Sequence, residues 1–189
     1  TYRLLKVDTL SNAPINEETL SKILDKIKNE KANITIFSDF RHGIFNPSSI
    51  QKLLKAIPKK NFKAGDSQVA SRWGNITEFK NFDLITPNER EARFSLADQD
   101  STVGKLAGLL FEKTRCQNLI LKLGSRGVFC NGLKNKKMQP PFSVGVFTDN
   151  VVDPVGTGDA LLAYATLSMV SSKSLVIASI ISSLAASCE

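Results

Sequence analysis

The chain has 189 residues, 42% hydrophobic and 23% charged, with 25 lysines and arginines against 18 acids and a formal net charge of +7. That length builds one sizeable domain with a real core, and the composition excludes a disordered chain. Three cysteines without a CxxC pair, beside a single histidine, exclude a disulfide framework and a zinc set.

The basic excess is spread through segments such as KAIPKKNFK (55–63) and LKNKKMQ (133–139). These read as loops and element ends with little aromatic interleaving, so solvated lysine accounts for the charge and no nucleic-acid partner is expected. Free thiols suit a reducing compartment, and a cytoplasmic location is expected. Asn33-Ile34-Thr35 and Asn75-Ile76-Thr77 match the glycosylation pattern, but nothing else speaks for secretion. The uncharged runs 160–172 and 174–188 are each shorter than the ~20 residues of a bilayer span. They read as two consecutive buried helices, and no membrane partner is expected. The abrupt start at TYRLLKVD and the cut helical pattern at the end suggest part of a longer polypeptide.

In chain order, residues 16–29 form a helix pattern with Asn16 as N-cap and Leu20, Ile23, Leu24 and Ile27 on one face. ITIFSD (34–39) is a strand. Asn46-Pro47 opens a second helix, with Ile50, Leu53, Leu54 and Ile57 facing inward and Pro58 as its stop. FDLIT (82–86) is a buried strand punctuated by Pro87. A helix follows from about Glu89, and another from Ser101 with Val103, Leu106, Ala107 and Leu110 inward. NLILKL (118–123) is the strongest strand pattern. GVFC, the 132–137 turn and FSVGVF (142–147) give short strands in antiparallel or edge positions.

Strand–helix alternation predicts a three-layer α/β fold, a mostly parallel central sheet with helices on both faces. Ligands then bind beyond the carboxyl ends of the strands. SDFRHG (38–43), AGDSQ (64–68), TPNERE (86–91), LGSRG (123–127) and DPVGTGD (153–159) all fall there and can share one rim.

In DPVGTGD, Gly156 and Gly158 let successive N–H groups point into one concavity, and the following helix adds its positive end. That is a cradle for a phosphoryl group. Asp159 beside it can take the proton of an attacking hydroxyl. The same four residues also describe an ordinary helix start with an acid in its first turn, and a short glycine motif alone does not separate the two. No GxxxxGK[ST] loop is present.

DPVGTGDA resembles the D-x-x-G-A-G-D signature of the ribokinase-like (PfkB) carbohydrate kinases, with Thr157 where alanine is commoner. SDFRHG, TPNEREA and LKLGSRGVFC resemble that family's S-D-Y-x-K-G, T-P-N-x-x-E-A and T-L-G-x-x-G segments, in the right order and across the whole chain. The resemblance implies ATP-dependent phosphorylation of a sugar or sugar-phosphate hydroxyl. It makes Asp159 the base and the Gly156, Thr157, Gly158 and Asp159 amides the anion hole. Asn88 and Glu91 would lie by the ATP phosphates, with Glu91 acting on Mg2+ through water. Lys122, Gly124, Ser125, Gly127 and Ser183 would line the nucleotide site, and Asp39, His42 and Asp66 the acceptor side. Asp153 and the Val155 carbonyl match a monovalent-cation (K+) site.

Lys122 stands where threonine is usual, either reaching the triphosphate or projecting from an edge strand. His42 replaces a lysine, and AGDSQ replaces V-D-P-K, removing a charged contact. RLLKVD ahead of SDF is similar to the heptose-7-phosphate kinase branch. The chain thus reads as one truncated ribokinase-like domain: residues 1–14 a strand or linker from the lid side, and 15–189 the ATP-binding core. Most of the sugar pocket and the lid would lie outside it, as would any surface that pairs two copies. A non-catalytic nucleotide- or partner-binding module of the same fold is the alternative.

Overall fold

The computed structural model describes residues 13–68, 76–148 and 155–188. Helix α1 (Glu17–Asn29) begins where the Asn16 side chain accepts from the Thr19 N–H at 2.8 Å. Strand β1 (Ile34–Asp39) follows, then α2 (Pro47–Ala56), opened by an Asn46–Ser49 capping box with proline in the first turn. After β2 (Phe62–Ser67) come β3 (Leu84–Ile85), α3 (Glu89–Leu96) and α4 (Val103–Thr114). Then follow β4 (Asn118–Lys122), β5 (Val128–Lys134), β6 (Lys137–Met138) and β7 (Phe142–Val144). Helices α5 (Thr157–Ser172) and α6 (Leu175–Ser187) follow.

The sheet runs β1-β2-β3-β4-β5, with β6 and β7 both pairing with β5. β1 to β4 are parallel, and β5 turns back antiparallel to β4. The alternation expected for an α/β fold is present, with the antiparallel strands gathered at one end. β3 is shorter than the expected 82–86, although Asp83 N–H donates to the Lys63 carbonyl and Thr86 N–H to the Gly65 carbonyl on either side of it. β4 lies between β3 and β5, so Lys122 does not stand on an edge strand.

Side-chain alternation divides the interior. Phe37, Ile85, Leu119 and Leu121 point to one face and pack with α2, α4 and the aromatic pair Phe79–Phe82. Ala64, Leu84, Ile120, Val128 and Cys130 point to the other and meet α5 and α6. Gly65 has a steric reason: a Cβ there would lie 2.6 Å from the Phe79 ring, itself stacked on Phe82 at 5.1 Å between centroids.

The reading of α5 and α6 as fully buried helices needs correction. Their inner faces are covered, through Leu161, Leu162 and Ala165 on α5 and Ala178, Ser179 and Ser182 on α6. Tyr164 and Leu167 on α5, and Ile177, Ile180 and Leu184 on α6, are exposed. A helix apolar on every side signals burial on every side, but among the described residues nothing packs against the outer face.

Two glycines should respond in opposite directions. Gly65→Ala drives a methyl into a buried ring and should cost about 1–3 kcal/mol in denaturant unfolding. Gly108→Ala, on the open side of α4 with nothing within 4 Å of a new Cβ, should gain about 0.5–1 kcal/mol. Equal effects at the two positions would contradict the packing described.

Candidate active site

The carboxyl ends of β1, β2 and β4 deliver Ser38, Asp66 and Lys122 to one rim. The main chain fixes their neighbours. Lys122 N–H donates to the Pro87 carbonyl at 2.9 Å, and Asn88 bridges to Lys122, so the TPNE turn is sewn to the end of β4. Gly156 caps α5 with a left-handed φ of 96°, a geometry that favours glycine. Gly158 follows, and a Cβ on it would lie 3.4 Å from Lys122 Nζ. Ser38 Oγ donates to Asp159 Oδ1 at 3.4 Å. The bend is open: Val155 is 70% exposed and Asp159 is also exposed. Lys122 thus lies beside both the glycine turn and the cavity lined by Asn88 and Gly124.

Lys122 Nζ lies 2.5 Å from Asp66 Oδ2, with side chains only 15% and 11% exposed. Asp66 Oδ1 also accepts from the Ser67 N–H at 3.1 Å. Burial pushes the Asp66 carboxyl above the usual carboxylate range, against the pull of Lys122, and the negative Asp159 adds to the push. The cation missing from the AGDSQ turn is thus supplied from β4.

Asp39 is differently engaged. It accepts from the Arg41 N–H at 2.8 Å, from Arg41 Nη1 at 3.1 Å and from Ser67 Oγ at 2.8 Å, and its side chain is 1% exposed. It braces the β1 and β2 turns and has almost no surface for a substrate. His42 is exposed, its ring 6.4 Å from that of Phe40.

Asn88 and Glu91 form a reciprocal cap on α3. Asn88 Oδ1 accepts from the Glu91 N–H at 2.8 Å, and the Asn88 N–H donates to Glu91 Oε2 at 2.7 Å. Beside them a cavity of about 590 Å³ is lined by Asn88, Arg90, Arg93, Lys122 and Gly124 among others. Arg90 and Arg93 escaped the sequence reading, as did Arg126, which pairs with Glu89. The available signal was Arg126 inside LGSRG and two arginines, Arg90 and Arg93, directly after the TPN turn. Hydrogen bonding from Arg93 holds the Glu89 carboxyl below its usual range, with Arg126 assisting. Arg93 Nη1 is buried without a hydrogen-bond partner.

Gly124 and Gly127 bound a short 3-10 turn carrying the exposed Ser125, with φ values of 63° and 77°. At Gly127 a Cβ would also meet the Val144 carbonyl oxygen at 2.0 Å. Ser183 is buried on α6, and its Oγ has no hydrogen-bond partner. Asp153 lies outside the described residues. The described residues hold no cluster of three or more His, Cys, Asp or Glu. A magnesium ion carried on phosphates needs only one or two carboxylates with water completing its shell. Glu91, which is buried and caps Asn88 through Oε2, is the acid of this turn that such a contact through water would involve.

The thiols stand apart from this chemistry. Burial pushes Cys116 and Cys130 up to about 12, from 9.0, while Cys188 is exposed. Folded values above unfolded ones mean that the folded chain keeps protons the unfolded chain releases. Stability should be intact below pH 9 and fall as pH rises towards 12. In native protein at pH 8 an aromatic disulfide reagent should label Cys188 alone; rapid labelling of all three would contradict the burial.

The model of the pfkB family carbohydrate kinases matches residues 6–189. The bifunctional protein HldE of Pelobacter propionicus is 22% identical over 167 residues, covering 85% of this chain and 33% of that protein. HldE of Helicobacter acinonychis is 25% identical over 179 residues, covering 92% and 37%. The chain therefore spans about a third of the length of these curated relatives. Among solved structures, phosphofructokinase-2 from Escherichia coli in complex with substrates and products superposes with a TM-score of 0.76 at 17% identity, over 95% of this chain and 58% of that one. Arabidopsis thaliana ribokinase complexed with ribose and ATP gives 0.67 at 19%, over 92% and 53%.

Proposed function

The chain belongs to the pfkB family of carbohydrate kinases, and from that premise we propose that its full polypeptide transfers the γ-phosphoryl group of ATP to a sugar or sugar-phosphate hydroxyl. The observation that carries this reading is Asp159 exposed on the first turn of α5, beside a left-handed Gly156 and in reach of Ser38. The first N–H groups of a helix have no partner within it, and its amino end favours negative charge. These amides stabilise the oxygens of the migrating group. Asp159 takes the proton of the acceptor hydroxyl. The acceptor oxygen bonds to phosphorus as the bond to the bridging oxygen breaks, and ADP departs with that electron pair.

The arginine-lined cavity next to Asn88 takes the rest of the triphosphate, and Ser183, a buried hydroxyl without a partner, offers a hydrogen bond to the base. Glu91 would hold a magnesium ion through water, and that ion would neutralise phosphate charge. A potassium ion at Asp153 and the Val155 carbonyl would reinforce the positive field at the same turn. The acceptor class favoured by RLLKVD ahead of SDF is a heptose 7-phosphate. Acceptor-side residues include Asp66, with His42 at the outer rim; residues 15–189 form the ATP-binding core.

ADP release by the full-length protein across a panel of sugars and sugar phosphates tests the reading. Asp159→Asn should lower kcat by about 10²–10⁴-fold and leave nucleotide binding within a few-fold. ATP affinity without acceptor-dependent ADP release from any panel member would select the non-catalytic binding module instead.

A further inference from the structure

An ammonium beside the first turn of a helix is electrostatically misplaced, because the helix's amino end is itself positive. Lys122 nevertheless sits there. Its Nζ lies 3.4 Å from the point where Gly158 would carry a Cβ, and its head is clamped to Asp66 Oδ2 at 2.5 Å. The stem rises from an interior strand, and the side chain is only 15% exposed. A lysine that only balanced Asp66 would gain nothing from a helix end at its side. Two positive features placed together suit an anion that arrives between them.

Lys122 also belongs to the lining of the arginine cavity next to Asn88. It touches both compartments the reaction needs: the cavity for the triphosphate and the bend carrying Asp159. Asp66 holds the ammonium at this junction, where a four-carbon stem could otherwise take other rotamers. We propose that Lys122 is a catalytic cation that contacts the phosphoryl group as it passes from the cavity to the α5 bend, with Asp66 as the positioning residue that holds it there. The proposal rests on the kinase reading and adds a residue to it. The ammonium acts on oxygens that move towards the bend during transfer, so its effect falls on turnover more than on nucleotide affinity.

The test uses the full-length polypeptide, with ADP release in the presence of a phosphorylated panel member. Calorimetric binding of ADP, with and without aluminium fluoride, is a second readout that needs no acceptor. Lys122→Met alone would strand a buried carboxylate, so the informative form is Lys122→Met combined with Asp66→Asn, which removes both charges. This double variant should melt near the parent and bind ADP within about three-fold. It should lose about 10²–10³-fold in kcat, and the extra affinity conferred by aluminium fluoride. Asp66→Asn alone, which keeps the ammonium but frees it, should lose about ten-fold in kcat with KM for ATP little changed. Should the double variant not fold, Lys122→Gln, able to keep a hydrogen bond to Asp66 without the charge, carries the same expectations.

Near-parental kcat and aluminium fluoride enhancement in the uncharged variant would overturn the proposal and leave the pair as a structural strut. ADP affinity falling in step with kcat would overturn it as well, since Lys122 would then hold nucleotide uniformly. A parent protein that binds ADP but neither gains affinity with aluminium fluoride nor phosphorylates any acceptor fails at the kinase reading itself, a result distinct from the other two.

Discussion

Charges taken out of water at the end of a strand must be answered on the spot, and in this chain the answer to Asp66 is Lys122. The pair reaches from β2 to β4 across β3, at the edge where the parallel strands end. Replacing such a buried pair with apolar groups is often neutral or stabilising, so stability is a weak reason for keeping it. Its consequence is placement. It sets a positive charge against Gly158 and brings Asp66 within the electrostatic reach of Asp159.

The rim depends on local devices that are individually ordinary. Asn88 and Glu91 cap α3 reciprocally, which fixes the turn whose Pro87 carbonyl accepts from Lys122. Gly156 takes a left-handed φ at the start of α5. Gly127 is required twice, by its φ and by the Val144 carbonyl that leaves no room for a Cβ. The helix cap made by Asn88 and Glu91 and the phosphate contact proposed for them are compatible. A cap that consumes one carboxylate oxygen also holds the helix's amino end steady towards the cavity.

Much of this was legible in the sequence. The period of apolar residues located α1, α2, α4 and β4, and the polar turns named the rim, because parallel strands put their carboxyl ends on one side. Three features were not legible. Lys122 looked equally like an edge projection, since only pairing with β5 shows that β4 is interior. Asp39 looked available, since nothing in SDFRHG announces that Arg41 and Ser67 enclose it. The apolar outer faces of α5 and α6 gave a pattern of full burial, and the pattern does not distinguish the packed face from the exposed one.

The most direct test of the central claim is a crystal structure of the full-length protein with a non-hydrolysable ATP analogue. The account predicts the terminal phosphate resting on the Gly156–Asp159 amides, with Lys122 Nζ in contact with one of its oxygens and Asp159 turned towards the acceptor position. A terminal phosphate bound away from the α5 bend, with Asp159 facing only bulk water, would contradict it.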